Sequence, residues 1–295
     1  MRILVAGASG QVAHALASLD APDVTVRALG RPGLDITVPD TIARAIAEHA
    51  PDVVVNAAAY TAVDKAESEP DVAFAINRDG AGNVAEAAAR ANLPVIHIST
   101  DYVFDGEKSD PYVETDEPNP QNVYGSSKLA GEIVVAEAAP DHAILRTAWV
   151  YGPHGTNFAK TMLQLAADRD EVRVVADQYG TPTYVGYIAN GIVAVAKAAL
   201  TNDTNWRGTF HMVSAGETTW AGFARAIFDE SHRHGGPFAK VLDIPTSEYP
   251  TPAQRPRMSV LSNEKFQTQF VTPMPMLQDG IISFINTLQL AGDIP

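Results

Sequence analysis

The first thirteen residues constrain this chain more than any other stretch. Met1-Arg-Ile-Leu-Val-Ala6 is a short apolar run of the kind that forms a parallel strand buried on both faces. Gly7-Ala-Ser-Gly10-Gln11-Val12-Ala13 follows at once, and a small-residue helix is predicted over 13–19. Glycines at a strand-to-helix turn let the backbone approach a pyrophosphate, which then meets the amides that open the helix. Ala13 stands where the usual pattern has a third glycine, and it is small enough to keep the helix close. A chain that begins this way and goes on alternating strand and helix is predicted to be an α/β protein. Its central element would be a Rossmann-like, doubly wound parallel sheet.

The alternation does go on. Strands are predicted over 24–29, 52–59 and 94–99, with helices over 39–49 and 70–92 between them. The second strand ends at Gly30-Arg31-Pro-Gly, the place where dinucleotide enzymes distinguish a ribose 2′-hydroxyl from a 2′-phosphate. An acid there would suit NADH, and Arg31 suits NADPH. An exposed turn arginine is the alternative, so both cofactors stay open. Asp35 and Ile36 are placed to flank an adenine ring. The third strand runs into Ala57-Ala58-Ala59, which leaves space for a cofactor at the carboxyl end of the sheet, and Tyr60 and Thr61 begin a polar loop over that end. The fourth ends in Ser99-Thr100-Asp101.

Tyr124-Gly-Ser-Ser-Lys128 opens a further predicted helix. Residues four apart share a helix face, so the phenol and the ammonium can converge on one point. A neighbouring cation would lower the tyrosine pKa from about 10 towards working pH, which makes Tyr124 a candidate proton donor with Lys128 beside it. The Thr100 hydroxyl could bond a carbonyl oxygen alongside Tyr124.

The turn at Gly7 and Gly10, the strand end Ser99-Thr100-Asp101 and the Tyr124/Lys128 pair together resemble the extended short-chain dehydrogenases/reductases. Longer strings are narrower. Val55-Asn-Ala-Ala-Ala-Tyr-Thr-Ala-Val-Asp-Lys-Ala-Glu-Ser-Glu-Pro70 and Ser99-Thr-Asp-Tyr-Val-Phe104 resemble the dTDP-4-dehydrorhamnose reductases of bacterial dTDP-L-rhamnose synthesis. So do Asn122-Val-Tyr-Gly125, Arg146-Thr-Ala-Trp149-Val-Tyr151, Asn157-Phe-Ala-Lys-Thr-Met162 and Tyr249-Pro-Thr-Pro-Ala-Gln-Arg-Pro256, so the likeness runs from residue 1 to about 270. The resemblance implies NAD(P)H-dependent reduction of the C4 ketone of a dTDP-6-deoxy-4-ketohexose. Tyr124, Lys128 and Thr100 would be catalytic, Asp101 and Trp149 would lie at the sugar, and Asn157 would bind substrate. Arg255 and Arg257 would form a diphosphate clamp, since guanidinium groups match phosphate oxygens. Two alternatives remain at this stage. One is another nucleotide-sugar epimerase or dehydratase of the same superfamily that retains its NAD. The other is a non-catalytic regulatory subunit of the methionine adenosyltransferase type, against which the intact Tyr124 and Lys128 argue.

Residues 1–150 are predicted to form the dinucleotide-binding domain, with later segments returning to it, and 151–295 to be mainly a smaller, substrate-binding α/β part. Gly208-Thr-Phe-His-Met-Val213 and a helix from Thr219 resemble the C-terminal domain of the family. Some relatives hold Mg²⁺ between glutamates at a dimer contact. Ala15 and Gly186 stand at those places here, which argues against Mg²⁺ and leaves monomer and homodimer both open. His232-Arg-His234 is the closest histidine pair and has no acidic cluster beside it. Zero cysteines excludes disulfides and thiol chemistry and is compatible with the cytoplasm. The strand at residue 1 leaves no room for a signal peptide, and no apolar run is long enough to span a membrane. A formal net charge of −14 argues against nucleic acid as a partner, and it means that any anionic ligand needs its own local cations.

Overall fold

A computed structural model describes residues 1–294. Its central sheet has six parallel strands: β1 (Arg2–Ala6), β2 (Thr25–Leu29), β3 (Val53–Asn56), β4 (Val95–Thr100), β5 (His142–Thr147) and a late strand, Gly208–His211. Across the sheet they run in the order late strand, β5, β4, β3, β1, β2. The order reverses at β1, which pairs with β2 on one side and β3 on the other, with Val5 opposite both Ala28 and Val55. In an open parallel sheet that reversal leaves a crevice beyond the carboxyl ends of the two strands, where ligands bind.

Alternation along the strands feeds two separate cores. Ile3 and Val5 of β1, with Val53 and Val55 of β3, pack against α1 (Gln11–Ala17) and a helix from Val185 to Ala199. Leu4, Ala6 and Val54 face the other way, against α2 (Pro39–His49) and the helical layer that follows β3. The middle of β1 and β3 is thus apolar on both sides, as a sheet covered on both faces requires.

That layer opens with α3 (Val63–Ala66), inside the segment expected to be a loop. α4 (Pro70–Phe74), a π-helical segment (Ala75–Gly80) and α5 (Ala81–Arg90) then take the place of the single long helix expected over 70–92. The register slips where the buried Asn77 turns its amide out of the helix, donating to Tyr60 O (3.0 Å) and Ser127 Oγ (2.9 Å) and accepting from Tyr60 N (2.8 Å). A π segment at a ligand-side position is a common marker of a functional constraint. α6 (Val123–Ala138) lies against this layer.

The rest of the chain builds a third core around α7 (Phe158–Asp168), a helix over Trp220–Arg233 and another over Leu277–Ala291, with the strand Glu171–Val175 pairing in parallel to Lys240–Ile244. Gly208–His211, expected with this C-terminal part, instead adds to the main sheet beside β5, with Phe210 opposite Leu145. Phe210 is buried in the core under that sheet, and burying it there fixes the strand's place. No described helix is long and apolar enough to cross a membrane.

Candidate active site

The turn after β1 leads the backbone into the crevice. Gly7 has φ +110°, a region that L side chains rarely adopt, and a Cβ there would lie 2.8 Å from Ala58 N. Together Gly7, Gly10, Arg31, Asp35, Ile36, Ala59 and Thr61 line a cavity of about 400 Å³. Val12 is half-buried against the core beneath, and Ile36 is buried against Gly80 of the π segment. Arg31 is exposed at the rim, which suits contact with an outer phosphate. Asp35 turns back on its own loop: its carboxylate accepts from Thr37 N (2.9 Å) and Thr37 Oγ1 (2.7 Å), and these bonds hold its pKa below the usual range. Tyr60 donates its hydroxyl to Glu69 (2.8 Å). Gln11 reaches to Val150 O (3.4 Å) and accepts from Asn157 Nδ2 (3.0 Å).

At the next strand end stand Thr100, Asp101, Tyr124 and Lys128. The Thr100 hydroxyl donates to Asp101 Oδ1 (2.9 Å), and Asp101 Oδ2 is buried with no partner. Burial raises the Asp101 pKa to about 6, the nearby hydroxyls of Thr100 and Ser259 opposing the rise. Tyr124 is half-buried at the start of α6, with Tyr102 edge-on to its ring (5.5 Å). Burial pushes the Tyr124 phenol above the ordinary tyrosine range; a hydrogen bond with Thr100 opposes this, and the Asp101 charge adds to it. Lys128, one turn further on, is buried and donates to Ile98 O (2.6 Å). Its pKa is lowered to about 8 by burial, with Glu132 opposing.

This corrects one expectation. Lys128 was expected to pull the Tyr124 pKa down, but the ammonium turns to the β4 carbonyl and desolvation of the phenol dominates.

The residues expected at the substrate are brought together only in part. A second cavity, of about 640 Å³, is lined by Phe158, Gln178, Trp220, Tyr249 and Arg255, among others. Arg255 donates to Asp64 Oδ2 (2.8 Å) and keeps its buried Nη1 without a partner. Arg257 is exposed, lies outside that lining and has Asp177 nearby, so the two arginines do not close as a clamp. Trp149, with φ +46°, lies under Trp220, stacked at 3.4 Å and 5°, and it is Trp220 that faces the cavity. Asn157 spends both amide hydrogens on Gln11 and Gly152 O (2.8 Å) while capping α7 through Lys160 N (3.1 Å). It is a strut between the two ligand regions.

Sequence reasoning gave no role to Trp220, Gln178, Asn77 or His97. A tryptophan at the start of an amphipathic helix, and a histidine inside an otherwise apolar strand, were the available signals. Among the described residues no group of three or more His, Asp or Glu side chains converges as a metal site would.

A family model described as RmlD substrate binding domain matches residues 1–290. A dTDP-4-dehydrorhamnose reductase of Sinorhizobium fredii is 48% identical over 99% of both chains. This chain belongs to the dTDP-4-dehydrorhamnose reductase family. Two solved members of that family superpose closely. The Clostridium acetobutylicum protein is 39% identical with a TM-score of 0.90, covering 98% of this chain and 100% of its own. The Bacillus anthracis protein, solved in complex with NADP, is 36% identical, also with a TM-score of 0.90, covering 97% and 99%.

Proposed function

We propose that this chain reduces the C4 ketone of dTDP-4-dehydro-L-rhamnose to dTDP-L-rhamnose with NADPH. The observation that carries the reading is the placing of Tyr124, Lys128 and Thr100 at the carboxyl edge of the sheet, beside the glycine-walled crevice, in a member of this reductase family. The crevice fits a dinucleotide: Gly7, where any Cβ would strike the Ala58 backbone, lets the turn after β1 pass close under it, and Arg31 stands at its outer rim for an adenosine 2′-phosphate. Gly7, Gly10, Gln11, Val12, Arg31, Asp35, Ile36, Ala59, Tyr60, Thr61, Tyr124 and Lys128 would hold the cofactor, which when bound supplies the hydride.

Tyr124 gives its proton to the oxygen that becomes an alkoxide at C4. A phenol held neutral by burial keeps that proton until charge develops beside it, and donors already aimed at a developing oxyanion are usually the largest catalytic term. Lys128 would hold the nicotinamide ribose and stabilise the phenolate that Tyr124 becomes. Thr100 bonds the same phenol, and Asp101 orients a sugar hydroxyl. Trp149 and Trp220 form an indole wall for the sugar, and Arg255, with Arg257 further out, meets the diphosphate. The dinucleotide part would comprise residues 1–150 together with later segments that rejoin the sheet, and the remainder after 151 would be mainly substrate-binding. The work of such an enzyme is cytoplasmic, as monomer or homodimer.

The test is oxidation of NADPH by the purified protein on the 4-keto product of the preceding epimerase step, with dTDP, UDP and GDP sugars compared. Turnover on the dTDP sugar is expected. No turnover on any of the three would overturn the reading, and so would tight stoichiometric NAD in the protein as purified.

A further inference from the structure

Gln178 is buried beside the 640 Å³ cavity, and the mechanism above gives it no role. The strand Tyr179–Gly180 pairs antiparallel with Thr218–Thr219, which brings Gln178 next to Trp220, the first residue of the helix that follows. The Gln178 amide bonds in two directions. Its Oε1 accepts from Trp220 Nε1 (3.2 Å), and its Nε2 donates to Thr246 Oγ1 (3.0 Å). Thr246 in turn donates its hydroxyl (2.6 Å) and its backbone N–H (2.9 and 3.0 Å) to the Asp177 carboxylate.

The polarity of this relay is set from both ends. An indole N–H can only donate, so it needs the amide oxygen. An ionised carboxylate can only accept, so it takes the single Thr246 hydroxyl proton and leaves Thr246 Oγ1 to accept from the amide nitrogen. Burial works against the charge on Asp177, but the Thr246 hydroxyl and amide outweigh it and hold the carboxyl below its usual pKa range. Both ends therefore select the same orientation of Gln178. Packing supplies the other restraint on the indole: Trp149 stacks on Trp220 at 3.4 Å and 5°, and Phe158 tilts against it at 4.6 Å and 46°. Stacking fixes the plane of the ring, and a directional N–H bond at its edge fixes how the ring is turned within that plane.

We propose that Gln178 is a positioning residue for the nucleotide sugar: anchored by Thr246 and Asp177, it holds the Trp220 indole in the orientation that walls the cavity. The inference rests on the reading of Trp220 as part of the sugar wall. A wall meets the sugar equally in the ground state and the transition state, so loosening it weakens binding more than turnover.

Gln178→Leu keeps the bulk and removes both bonds. KM for the dTDP sugar should rise roughly 3–10-fold, the worth of one lost hydrogen bond, with kcat within about two-fold of wild type. Made in a Trp220→Phe background, which has no N–H to hold, the same replacement should change KM little further. A second readout needs neither substrate nor turnover. The Trp220 indole N–H, assigned as the ¹H–¹⁵N signal missing from Trp220→Phe, should exchange slowly with solvent in the wild-type protein. Thr246→Val, at a half-buried position, removes the anchor without touching the cavity wall, and it should speed that exchange roughly tenfold. Fast exchange in the wild type, unchanged exchange in Thr246→Val, or equal KM losses from Gln178→Leu with and without the Trp220 N–H would overturn the proposal while leaving the function intact. Absence of turnover on every nucleotide 4-ketosugar would instead overturn the function, and the sugar-binding role of Gln178 with it.

Discussion

Tyr124 and Asp101 lie on either side of the Thr100 hydroxyl, and burial pushes both towards their neutral forms. In the proposed reaction the neutral form of Tyr124 is the useful one, since it carries the proton to be given. Tyr124→Phe removes only the hydroxyl, and turnover should fall by roughly 10²–10⁴-fold, the usual worth of one general acid, with NADPH affinity nearly unchanged. Steady-state kinetics decide it, and a variant within a few-fold of wild type would mean that another group supplies the proton. Asp101 makes a prediction about stability. Its carboxyl has a folded pKa of about 6 against 3.8 unfolded, so its contribution to stability is fully present below about pH 4 and lost as pH rises through 6. Asp101→Asn keeps the shape and the acceptor for Thr100 but cannot ionise. Relative to wild type it should gain on the order of 2–3 kcal/mol between pH 4 and pH 8. Urea melts at both pH values are the measurement; parallel profiles would mean that the buried Oδ2 finds solvent or a partner.

At the scale of elements, α6 carries both Tyr124 and Lys128, and its position depends on contacts at three levels. Asn122 caps it, accepting from Gly125 N (2.7 Å) and donating to Gln254 O (2.9 Å). Gly131 lets the π segment approach, since a Cβ there would lie 2.1 Å from Asn77 O. Glu132 locks the far end of the site, accepting from Ser99 Oγ (2.5 Å) and from Arg146 Nε and Nη2 (2.9 and 2.7 Å), all buried. Glu132→Gln would leave Arg146 charged and uncompensated in the interior. A loss of about 3–5 kcal/mol is expected in chemical denaturation, against well under 1 kcal/mol for an exposed pair such as Arg90–Glu86. A small loss would mean that water reaches the guanidinium. The strands were legible in the sequence because burial on both faces makes them continuous apolar runs, and Gly7, Tyr124 and Lys128 because their chemistry needs fixed local spacing. The π segment was hidden: its cause is Asn77 bonding Ser127, fifty positions away, and no local pattern encodes that contact. Gly208–His211 looked like part of the C-terminal domain for the same reason, as its partner β5 is remote in sequence. Trp220 was read as a helix residue, and its stacking on Trp149 joins positions too far apart in the chain for any local pattern to encode.

On the scale of the whole molecule, the loop over 250–258 ties the C-terminal part to the dinucleotide part. Arg255 holds Asp64, Ala253 N donates to the same carboxylate (3.2 Å), and Met258 N donates to Gly106 O (3.2 Å). Arg255 also lines the 640 Å³ cavity and has a buried Nη1 to spare, so one arginine is both a latch in the fold and, in the proposed reaction, the cation offered to the diphosphate. In a chain with 35 acidic side chains against 21 basic, such a cation counts for more than its number suggests, because the average field repels a nucleotide sugar. Arg255→Ala should raise the KM for the nucleotide sugar by roughly 10–100-fold, the worth of a charged hydrogen bond, and change kcat less, because the diphosphate is remote from C4. Arg257→Ala, outside the cavity, should change KM only a few-fold. Asp64→Asn separates the latch from the cation: it breaks the ion pair but leaves the guanidinium in place. If Arg255 acts on the diphosphate, Asp64→Asn will keep a near-normal KM. If the two variants lose substrate affinity equally, the arginine works by holding the loop, and the phosphate contact falls to Arg169 or Arg173 on the same cavity wall.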